Sequence, residues 1–231
     1  MREPSVTEGT EKLSGAKFRR LVGFPLLAMS AILAVAWLAQ PSVNGLLHND
    51  SVVQLDLTLL HWFRSHTTDS SDALFVFISL LGSPVAMVAV SIVGAALIYR
   101  QHAWRLLIVW IAATSGSSAL TQVIKHMFNR PRPGGAEIFL HGTSDSFPSG
   151  HAVGSMVVLG LTVFILNSRH TMRNGYALGV NVGLPMLIAA IGLSRLYLGV
   201  HYLTDVTAGF LIGGVWLFVC IVTLRVSERR V

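Results

Sequence analysis

Three short stretches of this sequence bring together ionisable side chains of types that could do chemistry: Lys125-His126-Met127-Phe128-Asn129-Arg130-Pro131-Arg132-Pro133, Phe147-Pro148-Ser149-Gly150-His151, and Ser194-Arg195 followed by His201 and Asp205. Each supplies a part that phosphoryl transfer needs. Lys125, Arg132 and Arg195 offer cations for phosphate oxygens, and an arginine fork binds two such oxygens at once. Ser149 and Gly150 stand where a helix is expected to begin, so free backbone N–H groups and the positive dipole end could receive an anion. His201 and Asp205 are spaced i, i+4 and share a helix face if the last helix starts early enough, letting the carboxylate orient the imidazole and stabilise its cation. His151 is then a second imidazole, free to act as an acid.

The elements that must carry these groups are read from composition. Of 231 residues 52% are hydrophobic and only 12% charged, against about 25% charged in an ordinary globular domain, and mean hydropathy is +0.62. Too few charges remain to cover a water-exposed surface. The same figures exclude disorder, and a single cysteine, Cys220 in an apolar run, excludes a disulfide scaffold and thiol–zinc chemistry. Windows of about 20 residues yield six apolar runs: Leu21 to Gln40, Ala73 to Tyr99, Trp104 to Ile124, His151 to Ser168, Gly175 to Ser194 and Val206 to Leu224. The expected fold is all-α, a polytopic membrane protein with six transmembrane helices in one bundle. Residues 1–20 are expected to be a tail, 21–225 the six-span domain, and 226–231 a second tail.

With six crossings both termini share a side. Of the 17 lysines and arginines, Arg64, Lys125, Arg130, Arg132 and Arg195 fall on the opposite side and the rest on the terminal side, so the termini are expected in the cytoplasm of a plasma (inner) membrane and the ionisable cluster outside it. The first run exceeds the roughly 7–15 apolar residues of a signal-peptide core and is expected to stay. Pro84 and Pro185 should kink their spans, and Thr114-Ser115-Gly116-Ser117-Ser118 should allow close helix packing. Leu46 to Phe63 mixes leucines and aromatics with Asp50, Asp56 and His61, which suits either an amphipathic interfacial helix or a loop packed on the bundle.

Rival functions fail on placement. The net charge of +6 forms no basic patch with interleaved aromatics, so no nucleic acid is expected. A metal site from His151, His201 and Asp205 would sit among Lys125, Arg132 and Arg195, whose charges repel a cation and attract an oxyanion; no metal and no cofactor are expected. A small transporter would place its ionisable groups near the bilayer midplane, whereas these gather at one face. The other histidines, His48, His61, His66, His102, His126, His141 and His170, are read as surface or packing residues, and Glu137 and Asp145 as solvated.

The three stretches resemble the motifs of the type 2 phosphatidic acid phosphatase superfamily, in particular its membrane branch of bacterial lipid phosphatases. Lysine, six residues, arginine-proline is met by Lys125 and Arg132-Pro133, leaving Arg130 out of register and at best auxiliary. Pro-Ser-Gly-His is met by Pro148 to His151, and Ser-Arg, five residues, His, three residues, Asp by Ser194-Arg195, His201 and Asp205. The resemblance implies a lipid phosphatase. His201, held by Asp205, attacks phosphorus and becomes phosphohistidine; His151 protonates the leaving oxygen and then activates water; Lys125, Arg132, Ser149, Gly150 and Arg195 hold the phosphoryl oxygens. It implies a phosphorylated lipid as substrate, among which polyprenyl diphosphate, phosphatidylglycerophosphate and phosphatidic acid share the headgroup chemistry. A phosphotransferase passing the group to another lipid would carry the same motifs.

Overall fold

The computed structural model describes residues 15–134, 145–168 and 177–228. Among them every regular element is helical: α1 (Gly15–Leu47), α2 (Asp50–Ser65), α3 (Asp69–Leu81), α4 (Pro84–Arg100), α5 (Trp104–Phe128), α6 (Gly150–Ser168), α7 (Leu184–Tyr197), entered through a π turn at Gly179–Gly183, and α8 (Leu203–Glu228). Five of these helical stretches are long and apolar enough to cross a bilayer, and the bent α3–α4 pair counted as one span makes six. Leu27, Trp37, Val85, Leu211 and Phe218 are each about two-thirds exposed or more. In water such a surface would drive aggregation, whereas in hydrocarbon it is the solvated face. The protein is a multi-pass membrane protein.

The helices α1 and α8 run several residues past the apolar windows at both ends, because polar residues at a membrane boundary do not stop a helix whose backbone bonds are already internal. Pro84 marks a break between two helices. Ser83 caps α4 by accepting the Ala86 N–H at 3.2 Å, Pro84 occupies the first turn where its missing N–H costs nothing, and the axis bends by 42°. Pro185 likewise sits in the first turn of α7. The segment after α1 is the helix α2, with Asn49 as N-cap, Asp50 in its first turn and Arg64 in its last, each charge suited to the dipole end it faces. The loop alternative does not hold.

The core is built by α5, α6 and α8, with α1, α4 and α7 around them. Trp216 is fully buried and donates its Nε1–H to the Ala113 carbonyl at 2.9 Å; the small Gly116 makes the space, as the Thr114–Ser118 run led one to expect. The approach that matters most for the site is between α6 and α8. A Cβ on Gly209 would lie 2.8 Å from the Ser149 carbonyl oxygen, and one on Gly213 3.1 Å from that of Val153. This small-xxx-small spacing lets the two backbones nearly touch and brings the start of α6 against the first turn of α8, where the Ser149 N–H donates to the Asp205 carbonyl at 3.0 Å.

Candidate active site

All the residues singled out by the three stretches converge at one end of the bundle, opposite the start of α1 and the end of α8. Lys125 is in the last turn of α5, His151 in the first turn of α6, Arg195 in the last turn of α7 and Asp205 in the first turn of α8. Four helix ends therefore aim at one volume. His201 belongs to no helix. The end of α7 closes with the Gly199 N–H donating to Leu196 O at 3.0 Å and the Val200 N–H to Arg195 O at 3.2 Å, Gly199 taking φ +65°. This is the Schellman turn, which requires the left-handed conformation at its glycine, and it delivers His201 into the interior.

The condition that α8 start before His201 is thus not met, and the pair forms by another route. Asp205 is the third residue of α8 and reaches back so that Oδ2 accepts the Tyr202 N–H at 3.0 Å, half of a capping box. The same oxygen faces His201 Nδ1 at 3.4 Å, with both side chains buried. At this distance and angle Nδ1 has no proper hydrogen bond. The other ring nitrogen decides the tautomer. Nε2 lies 3.1 Å from Arg132 Nη1, which also donates to Val200 O at 2.9 Å. A guanidinium can only donate, so Nε2 carries the lone pair and the proton of the neutral ring sits on Nδ1, toward Asp205. Burial holds His201 well below the ordinary imidazole range, to about 4; Asp205 opposes this and Arg132 and Arg195 reinforce it. The ring is neutral at pH 7, with its nucleophilic nitrogen among the cations.

Around that nitrogen the cations are anchored from several sides. Lys125 Nζ donates to the Asp145 carbonyl, so Asp145 contributes backbone to the site. Burial lowers Arg132 from its usual range, partly offset by Asp205 and Asp145. Arg195 is 5% exposed and donates from Nη1 to Ser79 Oγ in α3, while its Nε has no protein partner. The Ser149 hydroxyl, fully buried, is also without one. Buried donors of this kind are rare without a function. The Ser149 amide departs from expectation: it is committed to Asp205 O, which leaves the hydroxyl as that residue's available donor. Gly150 opens α6, where first-turn amides lack intrahelical acceptors. His151 is partly buried and lies within electrostatic reach of His201, Arg195, Arg132 and Lys125. Glu137, His141 and His170 lie outside the described residues. Among the described residues no group of three or more His, Cys, Asp or Glu is disposed to hold a metal ion.

The sequence profile of the PAP2 superfamily matches residues 103–229, more than half of the chain and all three motif stretches. The protein belongs to the PAP2 superfamily. Among curated relatives, phosphatidylglycerophosphatase B of Bacillus subtilis is 32% identical over 123 residues, covering 53% of this chain and 59% of that protein. Decaprenylphosphoryl-5-phosphoribose phosphatase of Mycolicibacterium smegmatis is 34% identical over 109 residues, 43% of this chain and 52% of that protein. The alignments thus span little more than half of either relative. The crystal structure of a transmembrane PAP2-type phosphatidylglycerolphosphate phosphatase from Bacillus subtilis superposes with a TM-score of 0.71 at 23% identity, covering 86% of this chain and 96% of that one. That of Aquifex aeolicus LpxE gives 0.53 at 25% identity, covering 74% and 95%. With 86% of the chain covered, the structural likeness extends beyond the profile match into the part of the chain before residue 103.

Ser79 escaped the sequence reading, and Arg130, read there as at best auxiliary, and Asp56, read there only as part of an amphipathic stretch, also reach this PAP2 site. Ser79 sits in the apolar run of α3, where a small polar residue reads as packing. Its contact suggests a measurable effect. Ser79→Ala is expected to lower kcat/KM about tenfold, the value of one hydrogen bond to a charged group, whereas Ser79→Thr, which keeps the hydroxyl, is expected to retain most activity. Initial rates of phosphate release from the two variants check this, and equal losses in both would assign Ser79 to packing alone.

Proposed function

We propose that this protein is a membrane lipid phosphatase that hydrolyses a phosphomonoester or diphosphate through a phosphohistidine on His201, without a metal ion. The observation that carries this reading is the placement of the His201 Nε2 lone pair beside Arg132, with Arg195 and Lys125 converging on the same volume. Such a cradle suits a phosphoryl group and repels a divalent cation.

In the proposed reaction, the Nε2 lone pair attacks the terminal phosphorus and its bond to the leaving oxygen breaks, that oxygen being the lipid alcohol's in a monoester and the bridging one in a diphosphate. His151 gives its proton to that oxygen. His151 then takes a proton from water as the water oxygen displaces Nε2, which regenerates both imidazoles and releases phosphate. Lys125, Arg132, Arg195, the Ser149 hydroxyl and the Gly150 amide hold the phosphoryl oxygens. Asp205 stabilises the charge that His201 gains on becoming phosphorylated.

A lipid substrate is supported by a cavity of about 390 Å³ between α4, α5 and α6. It begins at Gly150 and Thr121 beside the cradle and continues past Met87, Ile92 and Trp110. From Gln122 to Trp110 this is about 18 Å along α5, a depth that suits a hydrocarbon chain. The names of the two curated relatives, both phosphatases, agree with phosphatidylglycerophosphate and polyprenyl phosphates as candidates. The placement of arginines and lysines supports cytoplasmic termini in a plasma membrane and a site facing the outer leaflet.

Purified protein incubated with phosphatidylglycerophosphate, phosphatidic acid and a polyprenyl diphosphate in excess chelator is expected to release phosphate from at least one of them. Vanadate, a trigonal-bipyramidal phosphate mimic, is expected to inhibit, and His201→Ala to be inactive. Loss of activity in chelator with recovery on zinc or magnesium would overturn the metal-free mechanism. Transfer of the label to an added lipid in place of water would mark a phosphotransferase.

A further inference from the structure

The carboxylate that faces His201 is gripped from behind by a second buried carboxylate that lies outside the three motifs and outside the matched family profile. Asp56, in α2, is 1% exposed although Leu55 and Leu57 on either side of it are exposed. Arg130 bridges the two acids: Nη2 donates to Asp56 Oδ2 at 2.9 Å and Nη1 to Asp205 Oδ1 at 2.6 Å. Thr204 completes the ring. Its N–H donates to Asp56 Oδ1 at 3.1 Å, its hydroxyl to Asp56 Oδ2 at 2.6 Å, and that hydroxyl accepts from Arg130 Nη1 at 2.7 Å. The guanidinium also lies 4.2 Å above the centre of the Tyr202 ring.

A clamp on Oδ1 fixes the plane of Asp205, so that Oδ2 is the oxygen left to face His201 Nδ1. The charges have a second consequence. Arg130 alone would neutralise Asp205 and deprive His201 of the anion that stabilises its cationic, phosphorylated form. With Asp56 present, two carboxylates share one guanidinium and the trio keeps one net negative charge beside the imidazole. Burying three charges for stability alone is a poor bargain compared with apolar packing. We propose that Asp56 and Arg130 are positioning residues that set both the orientation of Asp205 and the net charge it presents to His201. The inference rests on the reading of His201 as the nucleophile, and it assigns α2 a part in the chemistry beyond covering the bundle end.

Burial acts to lower Arg130, and Asp205 and Asp56 together outweigh it, which leaves the guanidinium above its ordinary range. It is therefore a permanent charge, and changes in the trio must be read on His201. The charged or titratable groups around that imidazole are Asp205 and Tyr202 at the start of α8, Arg130 and Arg132 after α5, Lys125 in α5, Asp145 before α6, His151 in α6, Arg195 in α7 and Asp56 in α2. Only Asp56 and Arg130 are altered in the test.

Arg130→Gln leaves two carboxylates unneutralised and is expected to move the acidic limb of the kcat/KM profile, where His201 becomes protonated, upward by about one pH unit. Asp56→Asn, nearly isosteric and still able to accept from Thr204, removes the net negative charge and is expected to move the limb downward. The double variant Asp56→Asn/Arg130→Gln restores the net charge of the trio, and its limb is expected to return toward that of the unaltered protein. A purely structural clamp would lower rates without opposite displacements. Histidine-selective NMR titration of the substrate-free protein, with the His201 signal assigned by its loss in His201→Gln, reads the same displacements without turnover. Displacements in the same direction, none at all, or no return in the double variant would overturn the inference. If the NMR displacements occur in a protein that hydrolyses no phospholipid, the charge relation stands and the lipid phosphatase reading fails. If Arg130→Gln does not fold, Asp56→Asn and the double variant still decide.

Discussion

His201→Ala is expected to lower kcat/KM by at least about 10³-fold and to abolish covalent labelling by a phosphorylated substrate, because it removes the Nε2 lone pair that lies 3.1 Å from Arg132 Nη1. His151→Ala is expected to cost about 10²–10⁴-fold with a lipid alcohol as leaving group, the usual range for losing a positioned general acid. The two variants should separate when the leaving group changes. An aryl phosphate whose phenol departs without protonation needs no acid in the first step, so His151→Ala should recover a large part of its loss, and phosphoenzyme should accumulate because water lacks its base. His201→Ala should recover nothing, since the N–P bond cannot form. Burst kinetics and acid-labile labelling on the two variants and the unaltered protein test the assignment. Equal rescue of both variants would show the roles to be wrong.

This experiment depends on the same geometry that the sequence carried only in part. The apolar runs located the crossings, because hydrocarbon leaves a chain no choice but to close its backbone bonds within each segment. The motif spacings marked the side chains that converge. What spacing could not show is how they meet. His201 and Asp205 are four apart, which suggested one helix face. The structure instead places a Schellman turn at Gly199 and a helix start at Leu203 between α7 and the carboxylate, so the contact arises from Asp205 reaching back over its own helix start. Ser149 is a similar case: the close approach of α6 and α8 at Gly209 commits its amide to Asp205 O and leaves the hydroxyl available. Asp56 was visible as an acid in a leucine-rich amphipathic stretch, but it lies 74 residues from Arg130 and 148 from Thr204. Long-range pairing of that kind has no local signature. Arg130 was discounted because it stands outside the motif register, and its importance comes from a partner the motif does not include.

The sidedness of the site is expected to show as an all-or-none difference in labelling. The helix order puts the start of α1, the α4–α5 turn and the end of α8 at one end of the bundle, and the cluster around His201 at the other. Moving a lysine or arginine across the bilayer during insertion is unfavourable, yet Lys125, Arg130, Arg132 and Arg195 all lie at the cluster end. Each has a specific partner there: Asp145, the two carboxylates, Val200 with His201, and Ser79. The proposed outward-facing site for lipid headgroups accounts for their retention against this bias. Gly134, past Arg132, is exposed, and a Cβ there meets nothing within 4 Å. Gln101, in the α4–α5 turn, is exposed at the opposite end. In a Cys220→Ala background, which removes the buried thiol, Gly134→Cys is expected to react with a membrane-impermeant thiol reagent in intact cells. Gln101→Cys is expected to react only after permeabilisation. The reverse pattern would place the cradle in the cytoplasm, where lipids presented by the outer leaflet could not reach His201.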